Sequence, residues 1–192
     1  MDIKPQILIH PNIPKPLHGI NPRTINGTEW WNKIRGKVYE KYDYHCAACG
    51  THKSEAKKHK WLEAHEFWDI NYLTGVCKVD KIEPLCHYCH NFIHSGRLTM
   101  IMGSKKSKSE VFDILQHGFD VLSKTNLECF GYTYDLAVSM GVNTYNIRPY
   151  KLRINNNLRW MDYVLIYNKK EYRSKFNNID EWINFYKKSK NR

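Results

Sequence analysis

The 192 residues leave room for one sizeable domain or two small ones. Thirty Lys and Arg against 19 Asp and Glu give a net charge of +11, while 42% hydrophobic and 14% aromatic residues exclude a disordered basic tail and point to a folded protein with a polyanionic partner. No window approaches the ~18 apolar residues of a membrane span, and MDIKPQILIHPNIPKP has no cationic region followed by an apolar run; no membrane contact is expected, and a cytoplasmic (intracellular) location is.

Pro5, Pro11, Pro14, Pro16 and Pro22 interrupt the first 28 residues, which read as an extended arm. From Thr28, a good N-cap, Trp30, Ile34, Val38 and Tyr42 recur every fourth position, so TEWWNKIRGKVYEKYD is expected to be an amphipathic helix leading into Cys46. Residues 29–100 hold both cysteine pairs and form the expected metal domain. A helical connector follows over 101–144. Within it a polar loop, GSKKSKS, precedes a helix capped by Ser109 with Val111, Leu115, Phe119 and Leu122 on one stripe, and a shorter helix runs from Thr133 to Met140. Residues 145–192 read as two strands joined at Asn168-Lys169-Lys170 and a closing helix, IDEWINFYKK; they carry 12 Lys and Arg against 4 Asp and Glu.

Four of the six cysteines form two C-x-x-C pairs, Cys46 with Cys49 and Cys86 with Cys89, and in a chain with no export signal that spacing means zinc before disulfides. Each pair offers two thiolates from one tight turn, and four protein ligands make a closed, structural Zn2+ site. The 36 residues between the pairs require an inserted hairpin or similar element, and the second pair runs into a helix. The expected fold is therefore α+β: a treble-clef zinc finger, or ββα-metal core, with flanking helices and a C-terminal β-hairpin plus helix. Cys77 and Cys129 are expected to be buried thiols.

On a helix starting near Cys89, His90 and His94 are i and i+4 and face one side, where both imidazoles reach one ion. His65 is the third candidate ligand, at the end of an apolar segment. The reading requires the imidazole nitrogens to lie within about 6 Å of one another, since a metal–nitrogen bond is only ~2.0–2.1 Å.

Residues 44–97, with WLEAHEFWDI and KIEPLCHYCHNFIHSG, resemble the HNH (His-Me finger) endonucleases. The resemblance implies that Cys46, Cys49, Cys86 and Cys89 hold structural zinc. It further implies that His65, His90 and His94 hold a second divalent metal (Mg2+, Mn2+ or Zn2+), and that the activity is cleavage or nicking of DNA. Two positions depart from the family pattern: Glu66 stands where the water-activating histidine is expected, and Lys81 stands at the position of the asparagine that orients it. By this resemblance the catalytic residues are Glu66, His65 and His90; base, further metal ligand and remnant are the roles open to Glu66. The alternative is a catalytically degenerate zinc module, of the kind a phage-like protein would use to bind nucleic acid or a host protein complex.

Nucleic acid, DNA first, is thus the expected partner, with a protein partner as the alternative. The basic side chains expected to hold its phosphates are Lys57, Lys58, Lys60, Lys81, Arg97, Arg153, Arg159, Lys169, Lys170 and Arg173. Trp160, Tyr163, Tyr167 and Tyr172 are read first as packing for the C-terminal hairpin and second as base-stacking groups.

Overall fold

The computed structural model describes residues 2–102, 105–125 and 128–190. The fold is mixed α+β, and the chain divides into two compact units: Met1–Asn12 with Ile34–Phe67 and Ile82–Lys151, and Ile13–Lys33 with Trp68–Lys81 and Leu152–Arg192. These units are interleaved in sequence and cut across the four consecutive segments expected. Among the described residues, no helix is long and apolar enough to cross a membrane.

The first 28 residues are not an extended arm. Pro5–Ile9 and Lys15–Leu17 are 3₁₀ turns, each with proline at its first or second position, and α1 spans Pro22–Asn26. Proline has its φ preset for a first helical turn and loses no hydrogen bond there, so here it starts turns rather than preventing them. Asn21 caps α1 reciprocally with Thr24. Ile7, Leu8 and Leu17 are buried, which ties this segment into both units.

Helix α2 covers Thr28–Lys41, as its four-residue period requires. A hairpin of β1 (Glu63–Ile70) and β2 (Val76–Leu85) then separates the two cysteine pairs. After it come α3 (His87–Ile93), α4 (Ser95–Ile101) and α5 (Lys105–Leu122). The expected polar loop is largely helical, because α5 begins four residues before Ser109; Gly103 and Ser104 lie outside the described residues. Lysine is a good helix former, so the run needs no apolar stripe to extend the helix.

In the first unit α5 is the central packing element. Val111, Ile114, Leu115, Phe119 and Leu122 are fully buried or nearly so, and Phe92 of α3 meets Phe119 edge to face with ring centres 5.6 Å apart. A β-carbon on Gly118 would fall 2.0 Å from the Phe92 ring, so α3 and α5 approach through the missing side chain. Strand β3 (Cys129–Phe130) pairs in parallel with β4 (Pro149–Tyr150) around α6 (Gly131–Ser139).

In the second unit β5 (Val164–Tyr167) and β6 (Lys170–Arg173) form the expected C-terminal hairpin, and α7 (Ile179–Lys190) follows. Asn168 and Lys169 turn it with φ of 51° and 62°, the left-handed pair that a two-residue hairpin loop demands. Strand β5 runs parallel to β2, with Val76 opposite Val164, giving the sheet order β1-β2-β5-β6. Tyr163, Tyr167 and Tyr172 pack on a core of Leu17, Ile20, Trp68, Cys77 and Leu165. Trp160 donates its indole N–H to Ser174 Oγ at 2.9 Å.

Candidate metal centre

Two turns bring four sulfurs together. After Cys46, the backbone N–H of Gly50 donates to Cys46 O at 2.8 Å, and Gly50 takes φ of +76°, a left-handed conformation that suits glycine. Cys86 is the N-cap of α3, and Ala47 N–H donates to Pro84 O at 2.8 Å, which fastens one turn to the other. The four Sγ atoms lie within 4.8 Å of one another, with Cys49 and Cys86 3.8 Å apart. Sulfurs at the corners of a tetrahedron with ~2.3 Å bonds to its centre stand about 3.8 Å apart, so this group fits one cation.

The neighbouring Cys46, Cys49 and Cys86, and after them burial, push the Cys89 thiol well above the usual cysteine range, whereas Cys46 and Cys49 are pushed below it. A divalent cation is what allows four neighbouring sulfurs to ionise together. His117 on α5, which the sequence did not single out, sets its Nε2 3.3 Å from Cys89 Sγ. Cys77 and Cys129 are buried thiols, each pushed up to about 12, by burial first.

His65, His90 and His94 form a second cluster, with one ring nitrogen from each lying within 4.8 Å of the others. His65 points from β1 and His90 from α3. His94 occupies the break between α3 and α4 rather than a continuous helix, but its N–H still reaches back to His90 O, which keeps the two rings 4.8 Å apart. A shared cation would draw the nitrogens to about 3–4 Å, a shift of roughly an ångström. His65 Nε2 is buried without a hydrogen-bond partner, a polar atom that an ion would satisfy. Burial, then His94, His90 and His10, push His65 well below the usual imidazole range. Burial and the charges of His90, Arg97 and His10 take His94 down to about 3. Both rings are therefore held neutral, as a metal ligand must be.

The carboxylate at this cluster is Glu63, not Glu66. Side chains alternate along a strand, so Glu63, His65 and Phe67 share one face of β1 and Glu66 takes the other. The ring contact between His65 and Phe67, 4.7 Å between centres, fixes which face that is. Glu63 Oε2 lies 2.5 Å from His90 Nδ1, out of line with the ring N–H direction, and Oε1 lies 2.8 Å from His87 Nδ1. Burial alone would raise this carboxyl; His90 and His87 overcome that and hold it at about 2. His10, from the N-terminal segment, also meets the cluster, its ring centre 5.7 Å from that of His65.

All ten basic residues read as phosphate contacts are exposed. Lys57, Lys58, Lys60 and Arg97 belong to the first unit and the other six to the second. Lys58 pairs with Glu110, Lys81 with Asp80, Arg159 with Asp162 and Arg173 with Glu171. Lys81 is thus a surface residue in an ion pair. No family model, curated protein or solved structure matches the chain.

Proposed function

We propose that the chain is a metal-dependent endonuclease of the HNH kind, cutting or nicking DNA, with a treble-clef zinc site as its scaffold. The observation that carries this reading is the convergence of His65, His90 and His94 beside the four-cysteine cluster. A divalent cation bound by the three imidazoles would stabilise the charge of the scissile phosphate and leaving oxygen. His65 and His94 are kept neutral and ready to ligate, by burial first, and Glu63 sets one oxygen against His90 and the other against His87. The base role is assigned to His10, because its ring lies against that of His65 and because Glu66 occupies the opposite face of β1. The exposed Lys and Arg side chains would hold the phosphate backbone without reading sequence.

A second reading is a zinc module that binds nucleic acid or a protein and cleaves nothing. It is favoured by the absence of a histidine next to His65, where Glu66 stands. Plasmid nicking in Mg2+ or Mn2+ separates the two. The nuclease reading expects cleavage that His90→Ala and His94→Ala abolish, and that His10→Ala lowers by about 10²- to 10⁴-fold while metal content stays the same. DNA binding that survives all three changes, with no cleavage by the unaltered protein, establishes the module instead.

A further inference from the structure

We infer that His59, Glu63 and His87 form a further divalent-cation site, and that Glu63 joins it to the site of His65, His90 and His94. One ligand atom from each of the three residues lies within 4.8 Å of the others, and all three are half-buried, so an ion can reach them. They come from separate places in the sequence: the loop before β1, the first residue of β1 and the first residue of α3. Trp61 stacks on the His59 ring at 4.1 Å and 9°, and His87 meets the same ring edge-on at 4.6 Å, so its orientation is set.

The donor set fits an ion. Two imidazoles and one carboxylate are the ligands of an open zinc site, which leaves a fourth position for water or substrate. Imidazole donors select Zn2+, Co2+ or a neighbouring transition ion over Ca2+ or Mg2+. Glu63 Oε1 accepts a hydrogen bond from His87 Nδ1 at 2.8 Å. Ligands on a tetrahedral ion stand about 3.3 Å apart, so replacing that proton by a cation needs an opening of about 0.5 Å. With Nδ1 on the ion, His87 Nε2 faces Glu110 Oε1 at 3.7 Å, the kind of outer carboxylate to which a ligating histidine donates its second N–H. Lys58, 2.9 Å from Glu110, holds that carboxylate in turn.

Glu63 makes the coupling. Its Oε1 serves His87 and its Oε2 lies against His90, so one carboxylate touches a member of each histidine group. An ion at either group withdraws charge from the carboxylate that supports the other. Neither statement depends on the nuclease reading, because ion counting requires no activity.

The test is a titration of the zinc-loaded protein, its cysteines filled, with Co2+ alone, followed by visible absorption and equilibrium dialysis. Two Co2+ per chain are expected. Mutating both His59→Ala and His87→Ala should remove one, His94→Gln should remove the other, and Glu63→Ala should remove one and weaken the remaining ion by roughly 10- to 100-fold. A double variant that binds as many Co2+ as the unaltered protein overturns the site, and a Glu63→Ala protein whose remaining ion binds as tightly as before overturns the coupling. Retained zinc and an unchanged far-UV spectrum certify the fold; if the double variant fails that control, His59→Gln and His87→Asn are read singly by the same criterion. Loss of cobalt on His94→Gln but not on removing His59 and His87 contradicts this site and leaves the nuclease reading intact. The reverse pattern supports this site and removes the metal on which that reading stands.

Discussion

Replacing Gly118 by alanine perturbs the packing that carries the metal-binding helix. On an open helix surface this change would stabilise by about 1 kcal/mol, since glycine is the poorer helix former. Here the new methyl would sit 2.0 Å from Phe92, where 3.4 Å is the near edge of ordinary contact, so the ring or the whole of α3 must retreat by more than an ångström. Phe92 is 1% exposed and already meets Phe119 edge to face, so the ring cannot simply swing out into solvent. Overpacking of a filled core costs about 1–3 kcal/mol, and a clash this deep belongs at the upper end. Less the propensity gain, the expected net loss is about 2 kcal/mol, or a fall in Tm of about 4–8 °C for a domain of this size. Thermal melts of the zinc-loaded protein read it. A double-mutant cycle with Phe92→Leu should return at least about 1 kcal/mol of coupling, because the smaller side chain vacates the disputed space. A Gly118→Ala protein as stable as the unaltered one, or a cycle that closes to zero, would refute the packing argument. Because α3 also carries Cys89 and His90, the variant should bind Co2+ more weakly as well.

Three other outcomes follow from the same structure. Cys86→Ser, or a strong chelator, should unfold the first unit, since a structural zinc contributes ~10–16 kcal/mol in small zinc domains against the ~5–15 kcal/mol total of a typical fold; an unchanged circular-dichroism melt would contradict this. His94 is held at about 3 in the folded protein against ~6.5 unfolded, so the folded state binds fewer protons and stability falls as pH drops below ~6.5. Between pH 7.5 and 5.5 that loss is about 1 kcal/mol in denaturant titrations of protein holding zinc only at its cysteines, and His94→Gln should abolish this share of the slope; identical slopes would count against the buried neutral ring. Lys169→Gly should raise stability by about 1 kcal/mol, because Lys169 sits at φ of 62° in the hairpin turn, and a lower Tm would show that turn to be misassigned.

The elements legible in the sequence are those whose signal is local. The four-residue period of α2, the stripe of Val111, Leu115, Phe119 and Leu122 on α5, and the two cysteine pairs each fit within a short window, and each appears where expected. Proline misled the reading of the first 28 residues, because the same residue that breaks a helix interior begins a 3₁₀ turn. The parallel pairing of β2 with β5 joins residues more than eighty positions apart, and β3 and β4 are two residues each, too short to alternate. At the site, adjacency in sequence pointed to Glu66, whereas strand geometry puts the neighbour of His65 on the far face and Glu63 beside it. The signal for Glu63 was available as its i, i+2 relation to His65. His10 and His117 reach their clusters only through tertiary packing, which no spacing announces.

The most direct measurement is a crystal of the zinc-containing protein soaked in Mn2+, with anomalous difference maps recorded on either side of the zinc edge and at a wavelength where manganese scatters. A zinc peak equidistant from Cys46, Cys49, Cys86 and Cys89 is expected, with a separate metal peak about 2 Å from the ring nitrogens of His65, His90 and His94. A zinc peak at the cysteines, with the three imidazoles hydrogen-bonded to protein or water and no metal among them, would contradict that expectation.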